Sequence, residues 1–331
     1  MKQIVLVLFL LPLLGVAALA PASAAEKTDS LRLESSVVAM GSAYSVAVYG
    51  DDRTRMEEAV DAAFEEVRRL DQMLSNYKPE SELSALNRLA AERPVQVTPE
   101  LFDLLSACVE YSRESEGAFD ITVGPLMKIW GFYKGTGRLP HRAEILGALD
   151  RVGYRNIVLD PAHRTVRFTR PGIELDPGGI GKGYAVDRMI EVLKQYGIHT
   201  ALVSASGSSI YGLGAPPGEK GWRVQIRDPK DANKSVAEVY LKDESMSTSG
   251  NYEKFFHAEG RIYSHIMDPR TGWPAQGVLS VSAVAPRTLD SEAWTKPLFV
   301  NGRAWAVKHK PAGVRAFFCE DTQEQTCAWL P

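Results

Sequence analysis

The sequence predicts an α+β fold, with mixed sheets and interleaved helices. Three observations carry this. Apolar residues recur at helical spacing over Arg53 to Leu74, where Met56, Val60, Phe64, Val67, Leu70 and Leu74 form one stripe. Elsewhere they alternate with period two, as in Tyr44, Val46 and Val48. The two kinds of segment follow one another without the regular strand–helix–strand spacing of a doubly wound sheet. There is no internal repeat and no long linker, so residues 25–331 are expected to form a single domain.

The elements follow in order. Leu31 to Tyr49 reads as two strands around Met40-Gly41-Ser42, and Arg53 to Leu74 as the first helix. Thr98-Pro99, a cap residue followed by proline at the first turn, opens a second helix that stops at Gly117. Gly117 to Leu126 is too polar for a core strand. Residues 141–152 suggest a short helix, and Ile157–Leu159 pairs with Thr165–Phe168 as a hairpin. A strand Ile173–Leu175 leads into a glycine turn and a helix from Gly183 to Tyr196, which Gly197 ends. Strands are expected at Ala201–Ser204, Trp222–Arg227 and Val236–Leu241. A hairpin ends near His265, an alternating strand covers Val278–Pro286, a helix Asp290–Val300, and a last strand Val314–Cys319.

Composition bounds the function. The chain has 331 residues, 45% apolar and 24% charged, with a net charge of -3 and no basic run, so nucleic acid is not expected as a partner. At the N-terminus Lys2 precedes an apolar run from Ile4 to Ala20, and Ala22-Ser23-Ala24 fits a small-residue cleavage site. Pro12 and Gly15 interrupt that run, which falls short of the ~20 residues a spanning helix needs. Residues 1–24 therefore read as a signal peptide, and the mature chain is expected to be exported and periplasmic, without stable membrane insertion. Cys108 lies on an apolar helix face with Leu101, Leu104 and Leu105. Cys319 and Cys327 can form a disulfide in an oxidising compartment, although spacing alone does not prove it.

The stretch Leu175 to Asp187 organises the chain. It holds four glycines, a lysine and two aspartates in the order L-D-P-G-G-I-G-K-G-Y-A-V-D. A glycine turn opening a helix is a cradle for phosphate, because glycines allow close approach and free helix N–H groups face the anion. It is not a Walker loop, since Asp176 and Gly183 stand where that motif needs glycine and Ser or Thr. Nor does it hold G-x-G-x-x-G in register. Alone, such a turn can simply cap a helix.

Seven motifs together resemble one family. They are Leu74-Ser-x-Tyr77, Ser81-x-Leu83-x-x-Leu86-Asn87, Gly117-x-Phe119-Asp120, Thr122-Val-Gly-Pro-Leu126, Asp176 through Asp187, Thr248-Ser249-Gly250-x-Tyr252, and His265-Ile-x-Asp268-Pro269-Arg-Thr-Gly272. In this order and spacing they resemble the FAD:protein FMN transferases, the ApbE family, over about Val37 to Gly302. The resemblance implies a fold of that type and an enzyme that takes FAD as substrate. It would transfer the FMN half to a Ser or Thr hydroxyl of an exported protein, such as a subunit of a membrane redox complex, with AMP leaving. Some relatives instead hydrolyse FAD, and some only bind it.

The resemblance also implies roles. Met40, Tyr77, Ala118, Phe119, Asp120, Asp176, Gly178, Lys182 and Thr248 would hold FAD, and His265, with Asp268 following, would take the acceptor proton. A histidine of ordinary pKa, ~6.5, suits that work near neutrality. Structural alternatives stand beside these: core aromatics at Tyr77 and Phe119, an Asx-turn at Asp120, a solvated lysine at Lys182.

The chain departs from the family at the divalent-metal motif, normally D-x-x-x-T before L-F-V-x-G. Anchored on Leu298-Phe299-Val300 and Gly302, Glu292 takes the Asp position and Lys296 the Thr position. Anchoring on Asp290 and Thr295 gives a spacing one residue too long. Glu292 can ligate Mg²⁺ beside the Gly181 carbonyl. Lys296 cannot, and either replaces part of the metal's charge or points to solvent while Thr295 turns inward. Ser206-Gly207-Ser208-Ser209 also replaces the family's usual Gly-Gly pair.

Overall fold

The computed structural model describes residues 30–323 and 326–331, so the expected signal peptide lies outside the described residues. Strands β1 (Leu31–Ala39) and β2 (Ser42–Gly50) form a hairpin turned at Met40, whose φ is 50°. Asp52 caps helix α1 (Arg53–Leu74), accepting from Arg55 N. Ser81 likewise caps α2 (Glu82–Leu89). Strand β3 (Val95–Gln96) precedes α3 (Pro99–Glu114), α4 (Gly124–Ile129) and α5 (Arg142–Leu149). Strands β4 (Ile157–Asp160) and β5 (Thr165–Phe168) join β3 in a small sheet. Then come α6 (Gly181–Gln195), β6 (Ala201–Ala205), β7 (Ser209–Leu213), β8 (Trp222–Arg227), β9 (Ser235–Leu241) and β10 (Glu244–Gly250). The hairpin β11 (Phe255–Ala258) and β12 (Arg261–Ser264) follows, then the short pair β13 (Met267–Asp268) and β14 (Trp273–Pro274). Strand β15 (Val278–Ala285), helix α7 (Thr288–His309), β16 (Arg315–Glu320) and β17 (Thr326–Trp329) complete the order.

The main sheet runs β1-β2-β6-β7-β10-β15-β16-β17, with every neighbouring pair antiparallel. Helices α1, α6 and α7 cover one face, over Val46, Val203, Val281 and Phe318. The β8–β9 hairpin covers the other, where Trp222, Val224 and Leu241 meet Ile210, Met246 and Phe317. A satellite cluster around Trp130 packs α4 and α5 against Tyr263 and Met267. Cys108 is buried and free, whereas Cys319 and Cys327 face each other across β16–β17 and are joined as a disulfide.

Several elements differ from expectation for physical reasons. Ile173–Leu175 is not a strand. Its backbone is satisfied instead by Asn87, whose side chain bonds both Leu175 N and Leu175 O, and by Gly124 N on Glu174 O. Strand β15 does not alternate, because all eight residues are buried between the two covered faces. The last helix extends well beyond Val300 but is broken at Gly302, where φ is 74° and ψ 179°. Helix α2 and strand β7 lie outside the expected elements, both being short; α2 depends on its Ser81 cap and on burial of Leu83 and Leu86.

Candidate active site

The glycine turn folds first as a 3-10 turn over Pro177–Gly179. Asp176 caps it, accepting from Gly178 N at 2.8 Å. Burial pushes the Asp176 carboxyl upward, against the opposing effects of that bond, an Asn76 hydrogen bond and the charge of Lys254. Helix α6 then starts at Gly181 without a capping side chain of its own. Glu292, 2% exposed on α7, does that work and accepts the Gly183 N–H. The helices meet so closely that a Cβ on Gly183 would stand 2.5 Å from the Thr288 carbonyl oxygen. Asp187, one turn along α6, accepts from Thr288 N at 2.7 Å and Leu289 N at 2.8 Å, and so caps α7 in return.

Around this turn the structure gathers residues distant in sequence. Met40 reaches over from the β1–β2 turn, its methyl 3.3 Å from where a Gly181 Cβ would stand. The Phe119 ring edge and the Lys296 side chain meet beside Gly179, 3.5 and 3.4 Å from its Cβ position. Lys182 Nζ donates to Ser208 Oγ in the β6–β7 turn. Lys296 Nζ donates to the Glu292 carbonyl at 3.1 Å and lies 3.8 Å from Glu292 Oε1. Burial lowers the Lys296 pKa to about 8, aided by Lys182 and opposed by Glu292.

His265 stands at the end of β12 with its ring edge toward Phe132. Its Nδ1 is 3.2 Å from the Lys254 carbonyl oxygen, which can only accept. Nδ1 therefore carries the hydrogen, and Nε2 keeps its lone pair. The ordinary pKa expected from sequence is corrected here. Burial lowers it to about 4, assisted by the charges of Lys254, Lys296 and Lys182. The imidazole is thus neutral near pH 7, with the Nε2 lone pair available to accept a proton.

Tyr77 is 65% exposed and stacks on Tyr133, ring centroids 4.4 Å apart at 20°. The pair walls a cleft of about 260 Å³ with Asn76, Asn87 and Lys128. Typical ligand sites span ~300–1,000 Å³, so this cleft suits one ring system rather than a whole dinucleotide.

Other expected site residues are placed differently. Asp120 is buried and its carboxylate accepts from Thr122 N, Thr122 Oγ1 and Tyr154 N, which forms the Asx-turn. Ala118 beside it is 1% exposed. Thr248 points away from the helices: strand alternation sends Ser247 and Ser249 to Ser291 and Thr295, leaving Thr248 to bond Ser282 on the far face. Asp268 is held bidentately by Arg270, which also reaches Asn301, so its carboxylate builds a turn rather than orienting His265. Gly178 and Asp176 stay at the turn.

The metal set does not assemble as expected. Thr295 does turn inward, but its hydroxyl accepts from Ser249 and donates to the Glu292 carbonyl. Asp290 is engaged by Tyr111 and Arg287. Glu292 has one oxygen on the Gly183 N–H and the other facing an ammonium. Among the described residues no three His, Cys, Asp or Glu side chains converge. Mg²⁺ can be held by one or two carboxylates with waters and substrate phosphates, but the one carboxylate here, Glu292, faces the Lys296 ammonium at 3.8 Å, which opposes a second cation.

Sequence reasoning missed Tyr133, Lys254 and Ser208 as site residues. Ser208 was visible as a departure in the Gly-Gly position; Tyr133 and Lys254 carry no motif and enter only through the fold.

The comparisons with known proteins identify the family to which this fold and sequence are similar. The sequence profile described as the ApbE family matches residues 40–318. The chain is similar to the FAD:protein FMN transferase of Treponema pallidum, 34% identical over 300 residues, covering 84% of this chain and 82% of that one. It is 33% identical to that of Salmonella typhimurium over 272 residues, covering 80% and 77%. The crystal structure of the ApbE protein from Thermotoga maritima superposes with a TM-score of 0.83 at 29% identity, covering 91% of this chain and 97% of that one. The apo flavinyl transferase ApbE of Pseudomonas stutzeri does so at 0.81 and 28%, covering 91% and 95%. The match across most of the chain in both sequence and fold establishes that this protein belongs to the ApbE family.

Proposed function

We propose that this chain is an FAD:protein FMN transferase that moves the FMN half of FAD onto a Ser or Thr hydroxyl of an acceptor protein and releases AMP. The observation that carries the reading is the meeting of Lys182 and Lys296 at one glycine turn, with His265 near enough for both charges to act on its imidazole. The names of its relatives, FAD:protein FMN transferase and flavinyl transferase, support the same chemistry.

Phosphoryl transfer is largely positioning and charge stabilisation. Lys182 and the α6 N-terminus hold the pyrophosphate, while Lys296 approaches it from above Gly179. Tyr77 and Tyr133 offer an aromatic wall to one ring system. The acceptor hydroxyl oxygen attacks the phosphorus on the FMN side. A new phosphorus–oxygen ester bond forms, and the bond from that phosphorus to the bridging oxygen breaks. AMP leaves with the bridging oxygen and its electron pair. His265 Nε2 takes the hydroxyl proton, and the Lys254 carbonyl steadies the imidazolium through Nδ1–H.

The signal-like N-terminus supports export, so the acceptor is proposed to be an exported or membrane redox subunit and the enzyme periplasmic. No helix among the described residues is long and apolar enough to cross a membrane. The test is incubation of mature protein with FAD and a candidate acceptor subunit, read by intact mass. An FMN adduct with free AMP supports transfer. FMN plus AMP without adduct means hydrolysis, and unchanged FAD means a binding protein.

A further inference from the structure

We infer that the ammonium of Lys296 is the resident cation of this site, so that pyrophosphate is held and neutralised without a divalent metal. The inference deepens the proposed function and rests on its placement of the FAD pyrophosphate at the glycine turn.

Position comes first. Lys296 is not on the solvent side of α7. Its Cε and Cδ lie 3.4 and 4.0 Å from the Cβ position of Gly179, so the stem crosses the phosphate turn itself. Its side chain is 22% exposed, and Nζ is tied to the Glu292 carbonyl at 3.1 Å. The ammonium is therefore held on α7 rather than swinging freely, with hydrogens left for an anion.

Charge comes second. Glu292 would offer a metal its carboxylate, but Oε2 accepts the Gly183 N–H and Oε1 faces Nζ at 3.8 Å. A divalent ion on Oε1 would sit beside a fixed ammonium, in a site that also contains Lys182. Like charges at such separations repel strongly where water is excluded. Lys182 and Lys296 set two positive charges against the two negative charges of an FAD pyrophosphate, with the Glu292 carboxylate offsetting part of them. The neighbouring Thr295 is turned toward β10 instead, its hydroxyl accepting from Ser249 and donating to the Glu292 carbonyl.

Affinity for FAD and for ADP, followed by flavin fluorescence and by calorimetry, tests this in excess EDTA and in millimolar Mg²⁺. ADP carries the pyrophosphate without the flavin, so it probes the cation even if the flavin reading fails. Wild type is expected to bind both ligands in EDTA, with less than about twofold change on adding Mg²⁺. Lys296→Thr is expected to lose about 10–100-fold affinity in EDTA, the scale of one charge-assisted contact, and to recover with Mg²⁺. Lys296→Arg keeps the charge and should bind in EDTA. Circular dichroism of each variant separates lost binding from lost folding. Binding of ADP but not FAD by wild type in EDTA would overturn the flavin reading and leave the lysine assignment standing. Wild type that binds neither ligand in EDTA, or needs Mg²⁺ to bind, overturns the assignment. So does folded Lys296→Thr that binds in EDTA like wild type.

Discussion

Gly183 on α6 donates its backbone N–H to the buried carboxylate of Glu292 on α7, so the helix that opens the phosphate turn is capped by a residue 109 positions away. The bond requires a bare Cα: a Cβ there would stand 2.5 Å from the Thr288 carbonyl and 2.9 Å from Glu292 Cβ.

Gly183→Ala should accordingly be destabilising by ~1–3 kcal/mol, the usual cost of overpacking a tight contact. Urea denaturation of both proteins measures this. Equal midpoints would show that the two helices part easily, and that the close packing is not a requirement of the site.

Asp187 offers a second handle on the same junction. Asp187→Ala removes both acceptors at the start of α7 and should cost ~0.5–2 kcal/mol, as for loss of a helix N-cap. Asp187→Asn, which keeps one acceptor oxygen, should cost less. If the two variants unfold at the same denaturant concentration as wild type, the cap contributes nothing.

His265→Ala should lower FMN transfer by ~10²–10⁴-fold while leaving FAD affinity nearly unchanged, because a base acts on the acceptor proton only in the transition state. Single-turnover transfer and FAD titration separate these. A collapse of FAD affinity instead would make His265 a binding residue.

The histidine also carries a pH signature. Its folded pKa is lowered to about 4, mainly by burial, against an unfolded value of ~6.5. Between these values the unfolded chain binds more protons than the folded one, so stability rises with pH across that window. Its contribution is fully present above the unfolded pKa and is lost as pH falls toward 4. Thermal melts of wild type and His265→Gln should differ in slope there, wild type losing more stability on acidification. Parallel slopes would show that His265 is not buried in its neutral form.

Tyr77→Ala should weaken FAD binding by about 5–30-fold, the scale of ~1–2 kcal/mol for a lost aromatic platform. Asp120→Asn should instead lower folding stability and leave FAD affinity close to wild type, since its carboxylate is spent on Thr122 and Tyr154. The reverse pattern in a fluorescence titration would restore Asp120 to the binding site.

What the sequence determined by itself was local. The α1 stripe, the α3 cap at Thr98-Pro99 and the glycine turn at Gly178–Gly183 are each written within a few turns of chain, and each folds near where it was read. The family motifs, too, sit on short contiguous stretches. The direction in which a side chain points was decided elsewhere. Thr295 and Lys296 are adjacent, and only the packing of α7 on β10 and α6 turns one toward Ser249 and the other toward Gly179. Thr248 faces away because Ser247 and Ser249 are committed to α7. Asp120 and Asp268 look like free carboxylates in one dimension and are consumed by Tyr154 and Arg270 in three. Ile173–Leu175 has strand-like residues but no strand beside it, and Asn87 satisfies its backbone instead. Hydrogen-bond partners and burial depend on segments far apart in the chain, so tertiary structure alone could assign them.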